Sequence, residues 1–202
     1  MDQVKSVYPE LSIMRWIEEE CQTAPDKCLL ATADACFAYG EVREWTISLA
    51  QYFAKEHGLG AGSTIALCAP NVVHVLVVLA AAQLLDVRVA LFPLATGAIE
   101  FERAVGLVCP QLVISSDPSR FGEARGVIND IQCMLINDGH VTVPSVDEVM
   151  RRPVTSETAF PNASGNASII VFTSGSTGVP KAIVNRASSF ALNGLALRKW
   201  LG

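Results

Sequence analysis

Residues 173–181 read Thr173-Ser174-Gly175-Ser176-Thr177-Gly178-Val179-Pro180-Lys181, directly after the apolar run Ser168-Ile169-Ile170-Val171-Phe172. Two glycines let the backbone turn tightly with its N–H groups inward. The hydroxyls of Thr173, Ser174, Ser176 and Thr177 add donors, and Lys181 adds a positive charge. Together these groups suit the binding of phosphate. A Walker loop would need G-x-x-x-x-G-K-[ST], but Val179 and Pro180 separate Gly178 from Lys181 and Ala182 follows the lysine. A nucleophile elbow G-x-S-x-G is also absent, since Phe172 stands two residues before Ser174 and Ser174 two before Ser176. A serine- and glycine-rich surface turn is the plain structural alternative.

The elements that must position this loop can be read from periodicity. Ile13, Met14, Ile17 and Cys21 fall at helical spacing over Ser12 to Cys21, with Glu18, Glu19 and Glu20 mostly on the wet side. Residues 29–31 and 36–39 are short strand candidates around a turn at Asp34. Val42, Trp45, Leu49, Tyr52 and Phe53 mark a second amphipathic helix that stops near Gly58. The segment Val72 to Leu85 is apolar almost throughout and falls short of the roughly 20 residues needed to span a bilayer, which predicts a buried helix. His74 within it is expected to be a core or edge histidine, because no Cys, Asp or Glu lies beside it at helical spacing.

Beyond Pro93 a helix over about Ala98 to Val108 is predicted, then strands at Gln111–Ser115 and Ile131–Ile136. A short helix follows, opened by the capping box Ser145-Val146-Asp147-Glu148. Residues 152–167, rich in Pro, Ser, Thr, Asn and Gly, read as an internal connection into the strand before the loop. The last residues, to Gly202, read as a helix opening after the loop. Strand and helix alternate, which predicts an α/β fold with a largely parallel sheet covered by helices.

Composition narrows the partners. Of 202 residues, 50% are hydrophobic and 17% charged, below the roughly 25% charged residues usual for a soluble domain. The net charge of −5 argues against nucleic acid or an anionic membrane surface as the main partner. The N-terminus lacks the apolar stretch of a signal peptide, so a cytoplasmic location is expected. The six cysteines, Cys21, Cys28, Cys36, Cys68, Cys109 and Cys133, show no C-x-x-C pair and no His at zinc-ligand spacing, and read as reduced thiols. The sequons at Asn162 and Asn166 read as chance matches in a polar loop.

The loop resembles the signature T-S-G-S-T-G-x-P-K-G of the adenylate-forming superfamily, which includes acyl-CoA synthetases, peptide synthetase adenylation domains and luciferases. Nine successive positions fit. The tenth is Ala182 where the family usually has glycine, and Ala187 stands where the family often has histidine. Weaker similarities follow in order: Phe37–Val42 resembles the family's Y-x-E-L helix start, and Gly58–Thr64 with Ile65–Cys68 its glycine turn and strand. Asn71 would open the next helix, and Val87–Leu94 resembles the family's strand leading into a proline.

The resemblance implies ATP-dependent activation of a carboxylic acid, by attack on the α-phosphate to give an acyl-adenylate and pyrophosphate. It implies ATP and Mg²⁺ as cofactors. Thr173, Ser174, Gly175, Ser176, Thr177, Gly178 and Lys181 would be the nucleotide-binding residues, with no catalytic residue in this chain. Residues 1–202 would be a truncated N-terminal domain, because complete relatives run to more than twice this length. Such a chain is expected to be inactive alone. The alternative is a non-catalytic phosphate-binding or partner-binding module, in which an uncovered apolar face meets a protein partner.

Overall fold

A computed structural model describes residues 12–33, 35–70, 72–137, 144–154, 166–173 and 180–189. Helix α1 (Ile13–Cys21) starts where the Ser12 hydroxyl accepts the Arg15 N–H at 3.2 Å. Strands β1 (Cys28–Ala31) and β2 (Cys36–Ala38) form an antiparallel ribbon that runs directly into α2 (Tyr39–Glu56). Then follow β3 (Thr64–Cys68), α3 (Val72–Leu84), β4 (Arg88–Leu91), α4 (Ala98–Val108), β5 (Leu112–Ser115), α5 (Ser119–Arg125), β6 (Gln132–Leu135), α6 (Val146–Met150), β7 (Ser168–Thr173) and β8 (Lys181–Arg186).

The main sheet has the order β6-β5-β3-β4-β7-β8, parallel throughout except for β8, which runs antiparallel at the edge. A strand buried on both faces should be apolar at every position, and all five residues of β3 are buried. Its side chains still divide by pleat. Ile65 and Leu67 join Val89, Leu112, Ile114 and Met134 under α1, α2, α3 and α6. Ala66 and Cys68 join Ala90, Val113 and Ile170 on the other face, against Phe101 of α4 and Phe121 of α5. Small residues on these central strands leave room for the helix aromatics.

α3, apolar except for His74 and Gln83, packs between the sheet and helices α1 and α2, and at 13 residues it is about 20 Å long. Among the described residues no helix is long and apolar enough to cross a membrane. The glycine turn before β3 uses Gly58 at φ 64° and Gly62 at φ 89°, backbone angles that side chains disfavour. Asp86 (φ 54°) makes the α3–β4 turn, and its carboxylate accepts the Asn166 N–H at 3.0 Å, tying the entry of β7 to that turn.

One expectation needs correction, and two elements went unpredicted. Strand β8 was not predicted; Lys181-Ala182-Ile183-Val184-Asn185-Arg186 pairs residue by residue with β7, and the helix expected toward Gly202 lies, beyond residue 189, outside the described residues. The ribbon residues Cys28 and Cys36 are joined by a disulfide, so these two are not free thiols. The turn between β1 and β2 brings their Cα atoms to 5.9 Å, a proximity that eight residues of sequence separation do not reveal. Helix α5 was not predicted, and it carries the buried Arg120.

Candidate functional site

The strand ends that bracket the loop lie at the carboxyl edge of the parallel part of the sheet. Thr173, the last residue of β7, is paired with Lys181, the first of β8, so residues 174–180 connect two adjacent strand ends. Both bracketing side chains are exposed. Pro180 is buried and leads into β8. The structure therefore brings the first and last of the predicted phosphate-binding residues together. Ser174, Gly175, Ser176, Thr177 and Gly178 lie outside the described residues.

Beside this hairpin a cavity of about 480 Å³ opens between the ends of β3, β4 and β7, lined in part by Leu67, Leu91, Phe92, Pro93, Thr96 and Phe172. Its position follows from the topology. The connection after β3 leads to α3 on one face and the connection after β4 leads to α4 on the other, so the sheet splits its crossovers there. Open α/β sheets bind ligands in such a crevice, outside the carboxyl ends of the strands. The walls are mostly apolar, with the Glu100 carboxylate at the rim.

Aromatic contacts tie the cavity to the loop. Phe172, immediately before Thr173, stacks on Phe92 at 4.7 Å, and Phe92 meets the edge of Phe101 at 4.8 Å. The Arg120 guanidinium lies 5.0 Å from the Phe101 ring centroid. This α5 arginine had no signal in the sequence beyond its type.

His74 is buried as expected, and its partner comes from far along the chain. Its Nε2 lies 2.8 Å from Asp147 Oδ1 across to α6. Phe37, Trp45 and Arg151 line a smaller hollow of about 210 Å³ at this pair. Among the described residues, no group of three or more His, Cys, Asp or Glu side chains is placed to hold a metal ion. Ala187 is buried, and its N–H donates to the Ala167 carbonyl at 2.9 Å, so this residue closes backbone structure against the start of β7.

The thiols near the sheet are chemically quiet. Burial pushes the Cys68 thiol up to about 12, with Arg120 opposing only part of that effect, and burial raises Cys21 and Cys133 as well. Because the folded value of Cys68 exceeds the unfolded one, its stabilising contribution is complete below about pH 9 and is lost as pH rises toward 12. Iodoacetamide at pH 8 is therefore expected to modify exposed Cys109 and spare Cys68. Peptide mapping that finds Cys68 labelled as fast as Cys109 would contradict this burial.

The carboxylate of Asp117 is held below its usual range, first by the Ser119 backbone N–H, which donates at 2.9 Å, and then by the Ser119 side chain. This contact fixes the entry to α5 and thereby the position from which Arg120 projects.

Known proteins give the same reading. The AMP-binding enzyme family matches residues 17–200. Enterobactin synthase component F of Escherichia coli O157:H7 is 30% identical over 189 residues, covering 88% of this chain and 13% of that protein. Among solved structures, VinN superposes with a TM-score of 0.77 at 18% identity over 95% of this chain and 47% of its own, and it has also been solved with 3-methylaspartate and with L-aspartate. The luciferase-like enzyme of the mealworm Zophobas morio gives 0.74 at 19% identity, covering 94% and 46%. The chain thus spans 13% of that synthase and about half of each of these two solved proteins. With a family match over nearly its whole length and the loop-bearing hairpin at the carboxyl edge of the expected α/β sheet, this chain belongs to the AMP-binding enzyme family.

Proposed function

We propose that this chain supplies the phosphate-holding part of a site for ATP-dependent carboxylate activation. In that reaction a carboxylate oxygen attacks the α-phosphorus of ATP, the bond to the bridging oxygen of pyrophosphate breaks, and an acyl-adenylate forms. The leaving pyrophosphate gathers negative charge, which fixed donors can stabilise as it develops. Thr173, Ser174, Gly175, Ser176, Thr177, Gly178 and Lys181 are assigned that work, with Lys181 as the fixed cation.

The observation that carries this reading is the Thr173–Lys181 pairing at the carboxyl edge, beside the cavity of about 480 Å³. Hydroxyls and an ammonium suit a phosphate chain, and Mg²⁺ enters this reading with the nucleotide's phosphates. The aspartate ligands of VinN are carboxylates, and we propose a carboxylic acid as the second substrate here. We further propose that residues 1–202 act as the N-terminal part of a larger catalytic unit, with residues 152–167 as an internal connection.

A second reading, a module that binds phosphate or a partner without catalysis, is favoured by the exposed apolar side chains Ile99, Leu107 and Val184. Calorimetric titration with Mg·ATP, paired with an assay of carboxylate-dependent pyrophosphate release, tests the phosphate-holding role and whether this chain activates a carboxylate unaided. Binding without release is the expected result for the 202-residue chain by itself. Absence of Mg·ATP binding would remove the phosphate-holding role. Carboxylate-dependent release would show that these residues already form a complete activating site.

A further inference from the structure

We infer that Arg120 is a positioning residue, which clamps the β4–α4 segment and, through a line of three phenylalanines, holds the strand end that opens the phosphate loop. The clamp is geometric. Arg120 is 7% exposed, and its Nη2 donates to the Leu94 carbonyl at 3.2 Å and to the Thr96 carbonyl at 2.6 Å. Nη1 donates to Glu123 Oε2 at 2.7 Å, so the buried charge is neutralised from its own helix.

A planar guanidinium can serve these acceptors at once, whereas a lysine ammonium has no such rigid fork. The held segment includes Pro93, Ala95 and Thr96, three of the cavity's lining residues. The same guanidinium faces Phe101, which touches Phe92, which stacks on Phe172, the residue before Thr173. Packed aromatics of this kind change position together, because a ring cannot move without opening a void beside its neighbour.

The effect on nucleotide affinity rests on the ATP reading above, whereas the clamp itself can be measured without it. Amide hydrogen exchange of the chain, resolved by residue, would compare wild type with Arg120→Met, and with Arg120→Lys where the methionine variant does not fold. Exchange at Thr96 and Phe101 is expected to accelerate by about tenfold in the variant, with a smaller acceleration at Phe172 and none at Ile65 in the sheet centre. Unchanged exchange at Thr96 would overturn the clamp. A change at Thr96 that stops short of Phe172 would overturn the coupling to the loop.

Affinity for Mg·ATP is expected to fall by about fivefold in the variant, because a smaller fraction of molecules would hold a competent loop. Arg125→Met, at an exposed position on the same helix, should leave that affinity unchanged. Equal losses in both variants would assign the effect to lost surface charge and overturn the positioning role. If wild type binds no Mg·ATP, the proposed function fails, and exchange at Phe172 alone decides the coupling.

Discussion

Replacement of Lys181 by alanine is expected to weaken Mg·ATP binding by about ten- to a hundredfold while leaving the fold intact. The magnitude follows from the type of contact. A hydrogen bond from a charged donor to phosphate is worth about 1.5–3 kcal/mol, and each 1.4 kcal/mol is a factor of ten in affinity. Lys181 is the one cation among the loop residues 173–181 and stands exposed at the first position of β8, across from Thr173. An exposed strand end tolerates truncation, with a stability change of roughly 0.5 kcal/mol or less.

Lys181→Arg keeps the charge on a longer, planar head and should recover part of the affinity. The two variants therefore separate charge from shape. Calorimetric titration of wild type, Lys181→Ala and Lys181→Arg with Mg·ATP measures the effect, with thermal melts as the folding control. Equal affinity in all three would mean that the loop holds the nucleotide without its lysine, and the assignment of the fixed cation would be wrong.

What the sequence discloses depends on the range of the interaction responsible. The candidate phosphate-binding stretch is a local feature, since glycines, donors and a charge must follow one another along the chain, and residues 173–181 carry them in nine positions. The parallel strands are nearly as legible. β3 is apolar from Ile65 to Cys68 because it is buried on both faces, Leu112-Val113-Ile114 of β5 reads the same way, and edge strand β6 keeps the apolar run Cys133-Met134-Leu135. The capping box at Ser145 and Glu148 is again local, and both of its hydrogen bonds are present at 3.1 and 2.7 Å.

The rest depends on long-range placement. Asp147 reaches His74 from 73 residues away, so inspection of the helix around His74 was bound to miss it. β8 begins at a lysine and ends at an arginine, and such charged ends hide a strand whose reason to exist is pairing with β7. α5 spans seven residues, too short for a periodic pattern to emerge, and its arginine gains meaning only from carbonyls 24 and 26 residues earlier. The disulfide between Cys28 and Cys36 likewise depends on how the ribbon folds over.

Truncation of Phe101 to alanine is expected to cost about 3–5 kcal/mol of stability, the range for deleting a fully buried aromatic ring. Phe101 is 0% exposed and belongs to the core on the α4 face of the sheet, where the strand residues Ala66 and Ala90 are too small to fill the space it would vacate. Its loss also removes the ring beneath the Arg120 guanidinium and the edge contact to Phe92. For a chain of this length such a change lowers the melting temperature by roughly 6–20 °C. Ile99→Ala, two residues away on the same helix at 66% exposure, should change stability by about 0.5 kcal/mol or less. Chemical denaturation of the two variants measures both values. A cost below about 1 kcal/mol for Phe101→Ala would mean that the neighbouring rings collapse into the void. Phe92 would then be free to shift under Phe172, and the aromatic line between Arg120 and the phosphate loop would be too soft to position anything.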